Sequence, residues 1–318
     1  MAHPSVTVEQ FYKQHGGALQ MRLVAGKENL QRVIREPTVN RPGLALSGFT
    51  RYFAHKRVQA VGHAEAYYLR SLSCAEREKH CTALFEFKIP CFVFSRGLRP
   101  ELEFLDAAAR AGVPVFQTPL VTMKFINAAT LALETMFAPR GSEMGSMVDI
   151  LGVGVLIRGE SGIGKSEAVL ALIERGYSLV SDDVTRVTLQ DGREVIGTSS
   201  ELTRSHMEIR GIGIINVAAM FGVKSIRHEK QLDLVVTLKS WNEVSEVDRV
   251  GIEQEFVKVL GVDIPHIIIP VRPGRDLARL IEVAAFQTKL KLSGYNAAQE
   301  LNDRLIAHMS PGGSPPAK

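Results

Sequence analysis

Apolar residues at Val169, Leu172 and Ile173 recur at helical spacing behind Lys165, which predicts a helix over Lys165–Arg175 that Gly176 ends. Short apolar runs of strand length flank it, Gly152–Arg158 before and Tyr177–Val180 after. Val184–Gln190, a turn at Asp191-Gly192 and Glu194–Ile196 read as a hairpin. Two more strands are expected at Leu232–Leu238 and Ile264–Val271. A last helix begins near Asp276, with Leu277, Leu280, Ile281 and Ala284 as its apolar stripe.

The first half alternates in the same way. Val8–His15 and Glu28–Ile34 are short and weakly periodic. The clearest unit is a strand at Cys91–Phe94, a helix at Pro100–Ala111 and a strand at Pro114–Gln117. Pro100 sits at the helix start, where its missing N–H costs nothing, and Gly112 follows as the C-cap. Such a βαβ unit implies a parallel sheet with a right-handed crossover. Arg96 and Arg99 follow the first strand's C-terminal end, where ligands of open α/β sheets sit, and read either as an anion site or as solvated arginines. The pattern breaks at Ala138-Pro139-Arg140-Gly141-Ser142, after the apolar helical stretch Phe125–Phe137. The expected organisation is α/β, with one domain over 1–137, a second over 138–309 and a tail over 310–318. That tail, SPGGSPPAK, has nothing to bury and is expected to be disordered.

The chain has 318 residues, 45% hydrophobic and 23% charged, which suits a globular protein with sizeable cores and excludes a collagen or a disulfide-stapled miniprotein. Its net charge of +4 comes without a local basic cluster, so no nucleic-acid partner is expected. Residues 1–135 carry 17 basic against 11 acidic side chains and the remainder is slightly acidic, a hint of two electrostatically different units. Cys74, Cys81 and Cys91 cannot form an even framework and lack metal-ligand spacing, so they read as free thiols in a reducing compartment. The N-terminal MAHPSVTVEQFYKQHGG lacks the basic start and apolar run of a signal peptide. The longest apolar stretch, Ile150–Ile157, is far short of the roughly 20 residues of a membrane span. A soluble, cytoplasmic protein with no membrane partner is expected.

Chemistry concentrates in Gly159-Glu160-Ser161-Gly162-Ile163-Gly164-Lys165-Ser166, which fits G-x-x-x-x-G-K-[ST] between an expected strand and an expected helix. Glycines let backbone N–H groups face phosphate oxygens, and the helix N-terminus adds positive potential. Lys165 can reach β- and γ-phosphates and the Ser166 hydroxyl can ligate Mg²⁺, so the motif implies nucleoside triphosphate binding. Asp182-Asp183 closes the next strand, 18 residues beyond Lys165. A carboxylate there can hold Mg²⁺ or take a proton from a nucleophile, and because adjacent residues diverge, one of the two is expected to meet the phosphate. The alternative is a surface pair in a turn. In Glu208-Ile209-Arg210-Gly211-Ile212-Gly213-Ile214-Ile215-Asn216, two glycines within an apolar run suggest a close backbone approach, with a carboxylate and a guanidinium at its mouth. Pro270-Val271-Arg272-Pro273-Gly274-Arg275 is a phosphate-reading loop or a rigid turn with solvated charges.

Together these pieces resemble the HPr kinase/phosphorylase family, bacterial enzymes that phosphorylate a serine of the carrier protein HPr. The resemblance rests on the motifs above, on Arg41-Pro42-Gly43-Leu44-Ala45-Leu46, on the Cys91–Gln117 unit and on Asp248-Arg249. It implies ATP at Gly159 to Ser166, with Lys165 on the phosphates and Ser166 and Glu208 associated with Mg²⁺. It further implies Asp183 as the residue that accepts the serine proton and donates it back, and Arg249 as a catalytic arginine. Met207 to Asn216, with Arg210, Gly211, Gly213 and Asn216, then match a signature segment, and Pro270 to Arg275, with Arg272, Gly274 and Arg275, a dephosphorylation loop. In the reverse direction inorganic phosphate attacks phosphoserine and leaves as pyrophosphate. The family's fold implies a Mur-ligase-like N-terminal domain, a C-terminal domain like the nucleotide core of phosphoenolpyruvate carboxykinase, and a homohexamer.

One position departs from the family pattern. Where a catalytic histidine precedes Gly-x-Leu-Val-Asp in the family, this chain has Met144 before Gly145-Ser146-Met147-Val148-Asp149. A thioether neither donates a proton nor titrates near neutral pH. Of the nine histidines, His206, two residues before Glu208, is the best placed to substitute. The departure motivates two rival readings: a regulator that senses nucleotide or phosphate without transfer, and a kinase for another acceptor, protein or small molecule.

Overall fold

The computed structural model of the chain describes residues 5–243 and 254–309. The chain divides into two compact units, Met1–Ala138 and Pro139–Lys318. The expected tail over 310–318 and the Asp248-Arg249 pair lie outside the described residues.

In the first unit the elements run β1 (Val6–Thr7), α1 (Val8–His15), β2 (Arg22–Ala25), β3 (Val33–Ile34), β4 (Val39–Asn40), α2 (Gly43–Leu46), β5 (Val58–Val61), α3 (His63–Ser71), α4 (Cys74–Phe85), β6 (Phe92–Phe94), α5 (Leu102–Ala111), β7 (Val115–Gln117) and α6 (Thr122–Phe137). Five strands form a sheet in the order β2-β7-β6-β5-β4, parallel except for β2. Strand alternation sends Phe92 and Phe94 to one face, where they pack with Leu84 and Phe104, and Val93 and Phe116 to the other, where Phe125 and Leu133 cover them. Both faces are therefore roofed by helices, which is why β5 and β6 are apolar at nearly every position.

The expected β6–α5–β7 crossover is present with the expected parallel register, Phe92 opposite Val115. The helix starts at Leu102 rather than Pro100, because Glu101 has the extended backbone of an N-cap. Gly112 ends it in the left-handed region, as expected. Helices α3 and α4 give little sequence signal: α3 buries only Glu65, Ala66 and Leu69, and α4 only Cys81, Leu84 and Phe85.

In the second unit β8 (Arg140–Met144), β9 (Ser146–Ile150), β10 (Val153–Gly159), α7 (Lys165–Glu174), β11 (Ser178–Ser181), β12 (Val184–Gln190), β13 (Glu194–Thr198), β14 (His206–Ile209), β15 (Gly213–Asn216), α8 (Val217–Phe221), β16 (Glu229–Gln231), β17 (Leu234–Ser240), β18 (Glu255–Val259), β19 (Val262–Val271), α9 (Leu277–Leu292) and α10 (Ala297–Met309) follow. Six strands form a sheet in the order β11-β9-β10-β17-β19-β18, with β10, β17 and β19 parallel at its centre. Helices α7 and α9 cover one face, through Val169, Leu172, Ile281 and Ala285 packed on Val155, Ile157 and Val236. A four-stranded antiparallel sheet, β16-β13-β12-β8, covers the other face through Val187 and Val195 against Met147, Leu156 and Val235. A Cβ at Gly154 would strike the Gln231 carbonyl oxygen, so this layer approaches as closely as it does only because that position has no side chain.

Every strand and helix expected downstream of residue 150 is present, with ends shifted by three residues or fewer. The expected hairpin is β12 and β13, paired from Arg186–Thr198 to Gln190–Glu194. The strands β8 and β18 are not legible as apolar alternation, because β8 is largely polar, and β18 carries Glu255 and Lys258 and exposes Phe256.

Candidate active site

Strand β10 ends at Gly159, where the chain leaves the sheet and turns through Glu160, Ser161, Gly162 and Ile163 into α7. Gly164 is the N-cap of that helix with φ +99°, and a Cβ there would also press on Leu277 Cδ1 at 3.3 Å. A residue with a side chain would be strained twice at this turn. Ile163 N–H donates to Glu160 O at 3.3 Å and Ala168 N–H to Gly164 O at 3.0 Å, closing the loop onto the helix. Ser166, in the first turn of α7, is half-buried.

Lys165 Nζ lies 2.7 Å from Asp183 Oδ1, with the lysine side chain 16% and the aspartate 54% exposed. The link is made by topology: β11 ends at Ser181, so Asp182 and Asp183 fall at the sheet edge from which the glycine-rich loop also springs. Asp183 has φ +53°, and Val184 N–H donates to Asp182 O at 2.6 Å across a three-residue turn centred on it. The two carboxylates diverge, as expected. Asp182 turns inward, accepting from Ser146 Oγ at 2.7 Å and from Glu208 N–H at 3.0 Å. Burial raises its pKa above the ordinary carboxylate value, and the bonds from Ser146 and Glu208 only partly oppose that.

That second bond fixes β14 beside the aspartates. Met207 and Ile209 point into the core and leave His206, Glu208 and Arg210 exposed. Arg210 reaches back, its Nη2 donating to Ser161 Oγ at 2.8 Å, so a second cation stands over the glycine-rich loop. Gly211 and Gly213, with φ +86° and +103°, lie in the β14–β15 turn, and nothing approaches within 4 Å of where their Cβ atoms would be. They serve the turn, and the close backbone approach expected there is absent. Asn216 caps α8, Oδ1 accepting from Ala219 N–H at 2.9 Å, and its Nδ2 lies 3.5 Å from His206 Nε2. His206 Nδ1 lies 2.9 Å from Arg204 O, so the ring is held within its own hairpin.

Met144 ends β8 directly opposite Val184, and Gly145 N–H donates to Asp183 O at 2.8 Å. The thioether therefore stands at the edge of the aspartate turn, 71% exposed. Ser146, which bridges to Asp182 and also accepts the Asp183 N–H at 3.3 Å, had no signal in the sequence. Arg272 lies with Cζ 3.2 Å from the Trp241 ring centroid, and Arg275 Nη1 donates to Pro270 O at 3.3 Å. Gly274, with φ +80°, turns the chain between them. Arg249 lies outside the described residues. Among the described residues no group of three or more His, Cys, Asp or Glu side chains is gathered to hold a metal.

A strand, a glycine-rich loop with a terminal lysine and serine, a helix N-terminus and a strand-end aspartate on that lysine define a P-loop protein of the α/β class. Family models for the HPr serine kinase N terminus and C-terminal domain match residues 6–133 and 135–305. The chain belongs to the HPr serine kinase family. It is 40% identical over 311 residues to an HPr kinase/phosphorylase of Leptospira biflexa, covering 97% of this chain and 96% of that one. It is 41% identical over 305 residues to an HPr kinase/phosphorylase of Geobacter sulfurreducens, covering 96% of each. The solved HPr(Ser) kinase/phosphatase of Coxiella burnetii is 33% identical with a TM-score of 0.47, over 51% of this chain and 98% of that one.

Proposed function

We propose that this protein transfers the γ-phosphoryl group of ATP to a serine of HPr and, in reverse, uses inorganic phosphate to remove that group from phosphoserine as pyrophosphate. The observation that carries the reading is the Lys165–Asp183 pair at the mouth of the glycine-rich loop. One group offsets phosphoryl charge and the other holds a proton. Lys165, Arg210 and the first turn of α7 supply the positive potential a polyphosphate needs. Ser166 and Glu208 are oxygen donors of the kind Mg²⁺ takes, and that ion keeps most of its other positions for water and phosphate oxygens. The residues therefore fit Mg²⁺ with ATP. When bound, the ion supplies charge neutralisation on the β- and γ-phosphates.

In the forward direction Asp183 accepts the serine hydroxyl proton as that oxygen attacks the γ-phosphorus and the bond to ADP breaks. Lys165 offsets the charge gathering on the transferring group. In reverse a phosphate oxygen attacks the phosphoserine phosphorus, the P–Oγ bond breaks, and Asp183 returns a proton to the serine oxygen. Arg249 is assigned to the same charge stabilisation, and Arg272, Gly274 and Arg275 to holding the incoming phosphate. Regulation and assembly by the N-terminal unit, a homohexamer, a cytoplasmic location, and the Mur-ligase-like and carboxykinase-like comparisons rest on family membership alone.

The test is the intact mass of HPr after incubation with this protein, Mg²⁺ and ATP, repeated after ATP is removed and excess phosphate added. One phosphoryl group gained, then lost with release of pyrophosphate, is the expected result. Asp183→Asn should bind nucleotide and transfer about 10²–10⁴-fold more slowly. No gain by a wild-type protein that binds ATP would overturn the assignment and favour a sensor or another acceptor.

A further inference from the structure

The parallel strands β10, β17 and β19 end side by side, and their next residues must therefore share one edge of the sheet. Gly159 pairs with Leu238 at the start of the glycine-rich loop, and Ser240 pairs with Val271 two residues further along β17. The residues that follow the last pair are Trp241 and Arg272. Register alone sets them next to each other, and the side chains complete the arrangement. The Arg272 guanidinium carbon stands 3.2 Å from the indole centroid and that of Arg275 5.9 Å from it.

The far end of this segment touches the loop. Leu277 Cδ1 lies 3.3 Å from where a Gly164 Cβ would be, so the residues between Arg272 and Leu277 are anchored at the sheet edge on one side and against the P-loop on the other. Arg175 Nη2, 2.6 Å from Asp276 Oδ2, ties the start of α9 to the end of α7 as well. Within this short tether Gly274 has φ +80°, and the Arg272 guanidinium lies on the Trp241 face. A guanidinium lying on an aromatic face keeps its N–H edges free for oxygen, and its orientation is fixed in advance.

We propose that Trp241 is a positioning residue for an anion subsite: its indole holds Arg272, with Arg275 beside it, edge-on toward the P-loop, where the guanidinium receives inorganic phosphate or the distal phosphate of pyrophosphate. The proposal deepens the phosphorolysis reading above and rests on it. Trp241 itself touches no reacting atom and acts through Arg272.

Binding of Mg²⁺–pyrophosphate by titration calorimetry tests this without turnover, alongside the KM for phosphate in phosphorolysis. Trp241→Leu removes the aromatic face and should weaken pyrophosphate binding about tenfold, the order a cation–π contact supplies. The KM for phosphate should rise by the same factor, and by more than kcat falls. Trp241→Phe, which keeps a ring, should stay within about twofold. Arg272→Ala should match Trp241→Leu, and the double variant should bind no more weakly than either single one, because both remove one unit. Equal losses in Trp241→Leu and Trp241→Phe, losses that multiply in the double variant, or normal pyrophosphate binding by Trp241→Leu would each overturn the proposal. Should Trp241→Leu fail to fold, Trp241→Phe and Arg272→Ala still decide it, since the proposal requires the first to bind within about twofold of wild type and the second about tenfold more weakly. Wild-type protein that binds pyrophosphate with this dependence but leaves phosphoserine-HPr intact would remove the assigned reaction and leave the subsite standing.

Discussion

Ser146 joins both aspartates of the turn, donating its hydroxyl to Asp182 Oδ1 at 2.7 Å and accepting the Asp183 N–H at 3.3 Å. A fully buried side chain thus sets where the two carboxylates point. Ser146→Ala leaves the inward carboxylate short of a donor and should cost about 1–3 kcal/mol in thermal or denaturant unfolding. Because the turn also loses an anchor, transfer to HPr should slow, by up to about 10²-fold, through misplacement of Asp183. Unchanged transfer would mean that the turn is held by its backbone bonds alone.

Met144 stands at the rim of that turn, and its exposure means a substitution there disturbs no core. Met144→His should leave the melting temperature within a degree or two, roughly the effect of any surface change. It should add to the pH–rate profile a limb near the ordinary imidazole value of about 6.5. A profile identical to that of wild type would show that position 144 takes no part in proton movement.

In the N-terminal unit Arg41 grips Glu65 with two hydrogen bonds of 3.0 and 2.9 Å, and Gly62 N–H adds a third at 2.9 Å. Burial pushes the Glu65 carboxyl up, but the Arg41 and backbone bonds outweigh it and its pKa falls below the ordinary 4.5. A depressed carboxylate stabilises the fold above its unfolded value and loses that contribution as pH falls through the folded one. The melting-temperature gap between wild type and Glu65→Gln should therefore be full at neutral pH and close below about pH 4.5. Arg41→Ala, which strands a buried carboxylate, should cost about 2–3 kcal/mol, less than a fully buried pair because Arg41 is half-exposed.

Thiol chemistry is partitioned in the same unit. Burial raises Cys81 to about 11 and Cys91 to about 12, while Cys74 is exposed. A thiol-reactive reagent at neutral pH should label one cysteine per native chain and all three after unfolding. Fast labelling of two or more would show that α4 or the start of β6 opens.

The glycine-rich loop and the strand-end aspartate were legible because their physics is local: backbone that must wrap, a helix start, and a strand that must stop. The sequence places an aspartate pair at that strand end without choosing between Asp182 and Asp183, and the structure puts Asp183 on Lys165. Ser146 and Trp241 were not legible in this way. Each gains its role from a neighbour contributed by another strand, and neither has a distinctive sequence context. Helices α3 and α4 leave no stripe to read because each buries only three residues. Gly211 and Gly213 were misread because glycine serves both tight turns and close contacts, and only the surrounding space distinguishes the two.

The contact between Lys165 and Asp183 also bears on the order in which substrates add. The carboxylate to which the proposed mechanism gives the serine proton is engaged by the lysine ammonium. Polyphosphate competes for that ammonium and so releases the carboxylate. Under that mechanism, a folded acceptor that docks first meets a carboxylate already paired with Lys165. Under the proposed mechanism, steady-state kinetics should accordingly show nucleotide adding before HPr, and random-order addition would show that the Lys165–Asp183 contact does not set the order.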